Sequence, residues 1–110
     1  MIDTCYCLSI AGFDGSGGAG LQADLKTFAA FDCHGYSVLT AIPVQNTCGV
    51  KHTHALPAQL IIDQLECVFE DIYPQVIKIG MLFSIQIIEA IADFSGSNKS
   101  DSSVISNFLA

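Results

Sequence analysis

The sequence predicts an α/β fold, an open sheet of mostly parallel strands flanked by helices. Short apolar runs alternate with segments of helical period, and a glycine-rich loop joins the first run to the first helical segment. The chain is also apolar, with 51% hydrophobic and 14% charged residues. Inner strands of a parallel sheet are covered on both faces, so they read as continuous apolar runs, and this composition suits them. A length of 110 residues fits one small domain that can bury about two-thirds of its unfolded surface.

Cys5 to Ala11 is the first apolar run and ends at a glycine cluster, as a buried strand would. Gly12 to Gly20 is a loop. From Leu21 the period changes: Leu21, Leu25, Phe28 and Ala29 fall on one helical face, with Phe31 close by, and His34-Gly35 supplies a stop signal. Tyr36 to Val44 is apolar and partly β-branched, predicting a second buried strand that Pro43 ends or bulges. Asn46 to Gly49 is turn-like, and Lys51 to Leu56 suits an edge strand or an extended connection. Pro57 is placed to open a second helix carrying Leu60, Ile61, Leu65, Val68 and Phe69, which Tyr73-Pro74 ends. Val76 to Gly80 predicts a third strand, and Ile85, Ile88, Ile91 and Ala92 a third helix. The expected core is therefore three parallel strands. The segment Ser95 to Ser103 is polar and serine-rich, and little after it could be buried, so no fourth strand is expected there and the tail is expected to be loosely packed.

A net charge of −7, with four Lys and Arg residues, excludes nucleic acid as the main partner, because no basic stripe can form. No apolar run approaches the length of a membrane span, and Met1 to Thr4 carries no positive leader-like segment. The five cysteines are odd in number and lack a C-x-x-C pair, which reads as reduced thiols in a cytoplasmic protein.

The glycine loop is the strongest local signal, because open α/β sheets bind ligands at the carboxyl ends of their strands. Gly15 to Gly20 matches G-x-G-x-x-G, but the acid that would hold a ribose after the second strand is replaced by Gln45 and Asn46. A P-loop needs Gly-Lys-Ser/Thr, whereas Gly20 is followed by Leu21-Gln22. A turn without a ligand is the remaining plain reading.

Three blocks carry a more specific resemblance. Leu8 to Asp14 with Gly20 to Phe28, then Thr40-Ala41 with Gln45 to Val50, then Lys78 to Leu82 stand in order and spacing. Together they resemble the hydroxymethylpyrimidine/phosphomethylpyrimidine kinases of thiamin biosynthesis, which have the ribokinase-like fold. The resemblance covers roughly residues 5 to 94. It implies the N-terminal part of such a sheet and ATP-dependent phosphorylation of 4-amino-5-hydroxymethyl-2-methylpyrimidine and its monophosphate.

By that resemblance the pocket candidates are Gly12, Asp24, Gln45 and Met81, with Ala19 and Val44 flanking them. The amide of Gln45 offers the donor and acceptor an aminopyrimidine needs, Asp24 an acceptor, and Met81 a soft surface for a flat ring. Each has a plainer reading: the helix dipole favours an acid in a first turn, Gln45 could be a turn residue, and Met81 could be core. Lys78 inside an apolar strand is expected to reach a carboxylate or a carbonyl. His52 and His54 share a strand face, but without a clear third ligand they read as surface residues.

The family's G-T-G-C-type glycine motif and V-x-D-P-V-type strand have no counterpart after Phe94. The expectation is thus a substrate-side part over 1–94 and a serine-rich tail off the family pattern over 95–110. Catalytic residues and the sites for ATP and Mg²⁺, the family's cosubstrate and metal, are expected outside this chain. A chain this apolar is expected to self-associate. The alternatives are a non-catalytic aminopyrimidine-binding module and a Rossmann-type dinucleotide domain.

Overall fold

The computed structural model describes residues 4–97 and 103–106. Strand β1 (Cys5–Ala11) is followed by helix α1 (Gly20–Ala30) and by β2 (Cys33–Leu39). A hairpin of β3 (Ala41–Asn46) and β4 (Gly49–Ala55) comes next, then α2 (Ala58–Asp71), β5 (Val76–Ile79), α3 (Ile85–Ser97) and β6 (Ser103–Ser106). The main sheet is parallel throughout, in the order β2-β1-β5-β6, and β3 pairs antiparallel with β4 in a separate two-stranded sheet.

Alternation along β1 separates the two faces of the sheet. Leu8 and Ile10 join Val38, Ile61, Leu65, Ile87 and Ile91 in the core beneath α2 and α3. Ser9 faces the other way and meets Asp24 of α1. Gly35 of β2 lies on this second face, where an added Cβ would stand 2.7 Å from Leu25 and 2.9 Å from Phe28 of α1. The missing side chain lets the helix sit close to the sheet.

The structure corrects four expectations. Gly35 lies inside β2 rather than stopping the helix, and α1 instead ends through Asp32, whose φ is +58°. The run Tyr36 to Val44 is two strands, because β2 reaches the end of its partner at Ala11↔Leu39 and the chain leaves the sheet. Thr40 marks that exit: its N–H donates to Ala11, and its carbonyl accepts from Leu56. The side-chain amide of Gln64 takes over the Leu39 backbone groups, donating to the carbonyl and accepting from the N–H at 2.9 Å each. Asp24 is the fifth residue of α1, not in its first turn, so dipole compensation does not account for it.

The fourth correction concerns the sheet's size. β6 adds a fourth parallel strand, paired Val76↔Ser103 to Ile79↔Ser106. Strand pairing draws on backbone groups, so four residues suffice for a ladder where side-chain pattern alone showed little. Residues 1–3, 98–102 and 107–110 lie outside the described residues, and with them much of the expected serine-rich tail. No helix among the described residues is long and apolar enough to cross a membrane.

Candidate substrate cleft

The chain goes from β1 to β2 on one side of the sheet, then crosses to β5 on the other side of β1. Helices α1 and α2 therefore diverge onto opposite faces and leave a crevice beyond the carboxyl end of β1. A cleft of about 510 Å³ lies there. Its floor is Ala11, Gly12, Lys78 and Gly80, one wall is the glycine loop with the start of α1, and another is the β3–β4 hairpin.

Gly12, Ala19, Asp24, Gln45 and Met81 all line this cleft. Val44 does not. Alternation along β3 turns Pro43 and Gln45 into the cleft, and the intervening Val44 is 41% exposed. Met81 is 43% exposed at the mouth, so it is not a core residue. Gln45 sits within β3 beside an irregularity in the ladder at Val44/Gln45, and its Nε2 donates to the Phe13 carbonyl at 3.3 Å. Its Oε1 is left as an acceptor.

Asp24 is held from two strands. Its Oδ2 accepts from Ser9 Oγ at 2.6 Å and from Lys78 Nζ at 2.9 Å, while Oδ1 has no hydrogen-bond partner among the described residues. Lys78 thus reaches a carboxylate, and the pair joins α1, β1 and β5 at the cleft floor. Ser9, fully buried and outside the cleft lining, supports Asp24 from behind, and the sequence reading missed it; the signal was a hydroxyl in an otherwise apolar strand.

Asp14 was missed as well. It is buried, and its Oδ1 accepts from the Ser16 hydroxyl at 2.8 Å and the Ser16 N–H at 3.0 Å. The hydroxyl first, then the Ser16 amide, hold its carboxyl below the usual range, with smaller contributions from the Ala19 and Gly18 amides. Gly17 N–H donates to the Asp14 carbonyl, and Asp14 N–H donates to Gln22 Oε1. The loop is therefore organised around its own aspartate. The Ser16 and Gly17 amides are thus engaged within the loop.

At the end of the loop, Gly20 has a φ of +62°, and an added Cβ would collide with the Gly12 carbonyl oxygen. That carbonyl accepts from Leu21 N–H at 2.9 Å, locking the first turn of α1 against the end of β1. On the opposite wall, Thr40 Oγ1 donates to the Met81 carbonyl at 3.0 Å and fixes the segment after β5. Phe13 and Phe83 add aromatic surface, and Phe83 holds a φ of +72°, a conformation that side-chain-bearing residues seldom adopt. No sequence pattern announces that dihedral.

His52 and His54 stack edge-to-face at 5.1 Å on exposed β4. They take part in no group of three metal-ligating side chains among the described residues. Cleft carboxylates suited to Mg²⁺ are not gathered there either, since Asp24 is paired with Lys78 and Asp14 is turned into its loop.

The sequence model of the family described as phosphomethylpyrimidine kinase matches residues 14–107. The chain belongs to this family. It is 50% identical over 86 residues to the hydroxymethylpyrimidine/phosphomethylpyrimidine kinase of Salmonella typhimurium, covering 78% of this chain and 32% of that protein. It is 51% identical over 94 residues to the corresponding kinase of Haemophilus influenzae, covering 86% and 35%. A crystal structure of phosphomethylpyrimidine kinase from Clostridium difficile 630 superimposes with a TM-score of 0.89 at 45% identity, covering 94% of this chain and 45% of that one. Pyridoxal kinase from Staphylococcus aureus, solved with AMP-PCP and pyridoxal, gives 0.84 at 34% identity, covering 98% and 40%. The chain thus spans about a third of the length of these curated phosphomethylpyrimidine kinases, and its fold is that of ribokinase-like kinases.

Proposed function

We propose that this chain supplies the substrate side of an ATP-dependent kinase acting on 4-amino-5-hydroxymethyl-2-methylpyrimidine and its monophosphate. The cleft at the carboxyl edge carries this reading, because it sets a carboxylate, an amide and a soft apolar wall around one space. At about 510 Å³ it falls within the range of small-molecule pockets. Gln45 Oε1 accepts from the exocyclic amine, Asp24 Oδ1 accepts from the amine or the hydroxymethyl group, and Met81 packs on the ring with Phe13 and Phe83. Gly12 and Ala19 let the ring approach the backbone.

Phosphoryl transfer rests on positioning and on charge stabilisation around the γ-phosphate. The Ser16 and Gly17 amides, turned onto Asp14, and the pairing of Asp24 with Lys78 support a reading in which those groups, with the sites for ATP and Mg²⁺, come from residues beyond these 110. The polypeptide alone then binds the pyrimidine without turning over ATP. Removal of one oxyanion donor costs about 10²–10³ in rate, and loss of the whole nucleotide side abolishes turnover.

The test is calorimetric titration of the 110-residue chain with the pyrimidine and, separately, with pyridoxal, beside an ATP-consumption assay with Mg²⁺. The expected result is heat with the pyrimidine, less with pyridoxal, and no ATP consumption. Preference for pyridoxal would move the substrate to the vitamin B6 class suggested by the pyridoxal kinase neighbours. Substrate-dependent turnover within about a hundredfold of a full-length kinase would overturn the substrate-side reading.

A further inference from the structure

At the opposite edge of the sheet, where β1 and β2 begin, three cysteines meet. Cys5 pairs in register with Cys33 and Cys7 with Gly35, so all three cysteines share the face covered by α1. Their Sγ atoms lie within 4.8 Å of one another, and Cys5 Sγ is 3.8 Å from Cys7 Sγ. Two sulfurs bound at about 2.3 Å to one tetrahedral cation stand about 3.8 Å apart, so that pair already has the spacing of a coordinated set. Cys7 is buried at the back, while Cys5 and Cys33 are half-buried, which leaves an open side for an exogenous fourth ligand.

The surroundings favour positive charge. Helix α1 ends beside the cluster, and Cys33 Sγ donates to the Phe31 carbonyl at the C-cap at 3.6 Å, so the negative end of the helix dipole faces the sulfurs. Asp32 adds a carboxylate next to Cys33. His34 is not a fourth ligand: it lies on the other face of the sheet, edge-on to Tyr6 at 5.9 Å and Tyr36 at 5.0 Å.

We propose that Cys5, Cys7 and Cys33 form a three-thiolate site for a thiophilic d¹⁰ cation of the Zn²⁺ and Cd²⁺ class. On binding, three sulfur–metal bonds form and three thiol protons pass to solvent. The metal clamps the start of β1 to the start of β2, far from the cleft, and acts as a structural site. Neither a C-x-x-C pair nor a zinc-knuckle spacing is present, because strand register, not local sequence, assembles the donors.

The test is titration of the reduced chain with Cd²⁺ alone, following thiolate-to-cadmium charge transfer in the ultraviolet. A single equivalent coordinated by three sulfurs is expected, together with a raised Tm and protection of three of the five thiols from alkylation. Cys33→Ser and Cys5→Ser, at half-buried positions that tolerate the change, each weaken binding by at least about tenfold. A Cys48→Ser/Cys67→Ser variant, altered at exposed positions, binds as the parent does. Circular dichroism confirms that each variant is folded. Absence of the absorption band, a band unchanged in Cys33→Ser, or loss of binding in the Cys48/Cys67 variant would overturn the proposal.

Discussion

Replacing Asp24 by Asn removes the charge that Lys78 Nζ meets at 2.9 Å and that Ser9 Oγ meets at 2.6 Å. A hydrogen bond to a charged group contributes about 1.5–3 kcal/mol, and stranding a buried charge costs more. The Asp24 and Lys78 side chains keep 15% and 19% of their exposure, so water screens the orphaned ammonium in part. The expected loss is about 2 kcal/mol, or about 8–16 °C in Tm for a domain of this size. Urea denaturation of Asp24→Asn, Lys78→Met and the double variant isolates the pair. The double variant should recover at least about 1 kcal/mol relative to the sum of the single losses, because no unpaired charge remains. Losses that add within about 0.5 kcal/mol would show that Asp24 and Lys78 do not interact, and the electrostatic account of the cleft floor would fail. Asp24→Asn should also weaken pyrimidine binding, and Lys78→Met should do so less, since of this pair the reading above gives only Asp24 a contact with the ligand, at its amine or hydroxymethyl group.

Gly20→Ala places a Cβ at a φ of +62° against the Gly12 carbonyl. Left-handed backbone alone costs about 1–2 kcal/mol, so the urea midpoint should fall by more than that; an unchanged midpoint would contradict the loop geometry. Ile61→Ala empties a fully buried position between α2 and the sheet and should cost about 2–5 kcal/mol in the same assay. The depressed carboxyl of Asp14 contributes stability that is fully present above the ordinary carboxylate range and is lost as pH falls through its folded value. Ser16→Ala should therefore flatten the acid limb of the stability profile below about pH 4 and leave its shape near neutrality unchanged; an identical acid limb would refute the assignment. Cys7 is 6% exposed, and burial, aided by Cys5 and Cys33, pushes its thiol up to about 12. In the metal-free chain at pH 8 it should be alkylated more slowly than exposed Cys48 and Cys67, as peptide mass spectrometry would show.

The α/β alternation was legible in the sequence because strand and helix periods are local: Leu8 and Ile10 in β1, or Ile61 and Leu65 in α2, need only their neighbours to declare a buried face. The motif blocks were legible for the same reason, being short contiguous runs around Gly12, Gln45 and Met81. What stayed hidden depends on where separate segments meet. The break at Thr40 follows from β1 ending at Ala11 and from Gln64 reaching across from α2. β6 exists through its backbone register with β5, to which serine-rich composition is nearly blind. Val44 was placed in the pocket by its nearness to Gln45 in sequence, whereas a strand sends adjacent side chains to opposite sides. By itself the sequence determined the class of fold, the order of its first elements and the family. Only the tertiary structure decided that Lys78 and the buried Ser9 both meet Asp24, that Asp14 turns its carboxylate onto Ser16 of its own loop, and that Cys5, Cys7 and Cys33 converge. The first and last of these join distant segments through the ordering β2-β1-β5, Lys78 meeting Asp24 across 54 positions, and that ordering is set by which surfaces bury one another, a property of the folded whole.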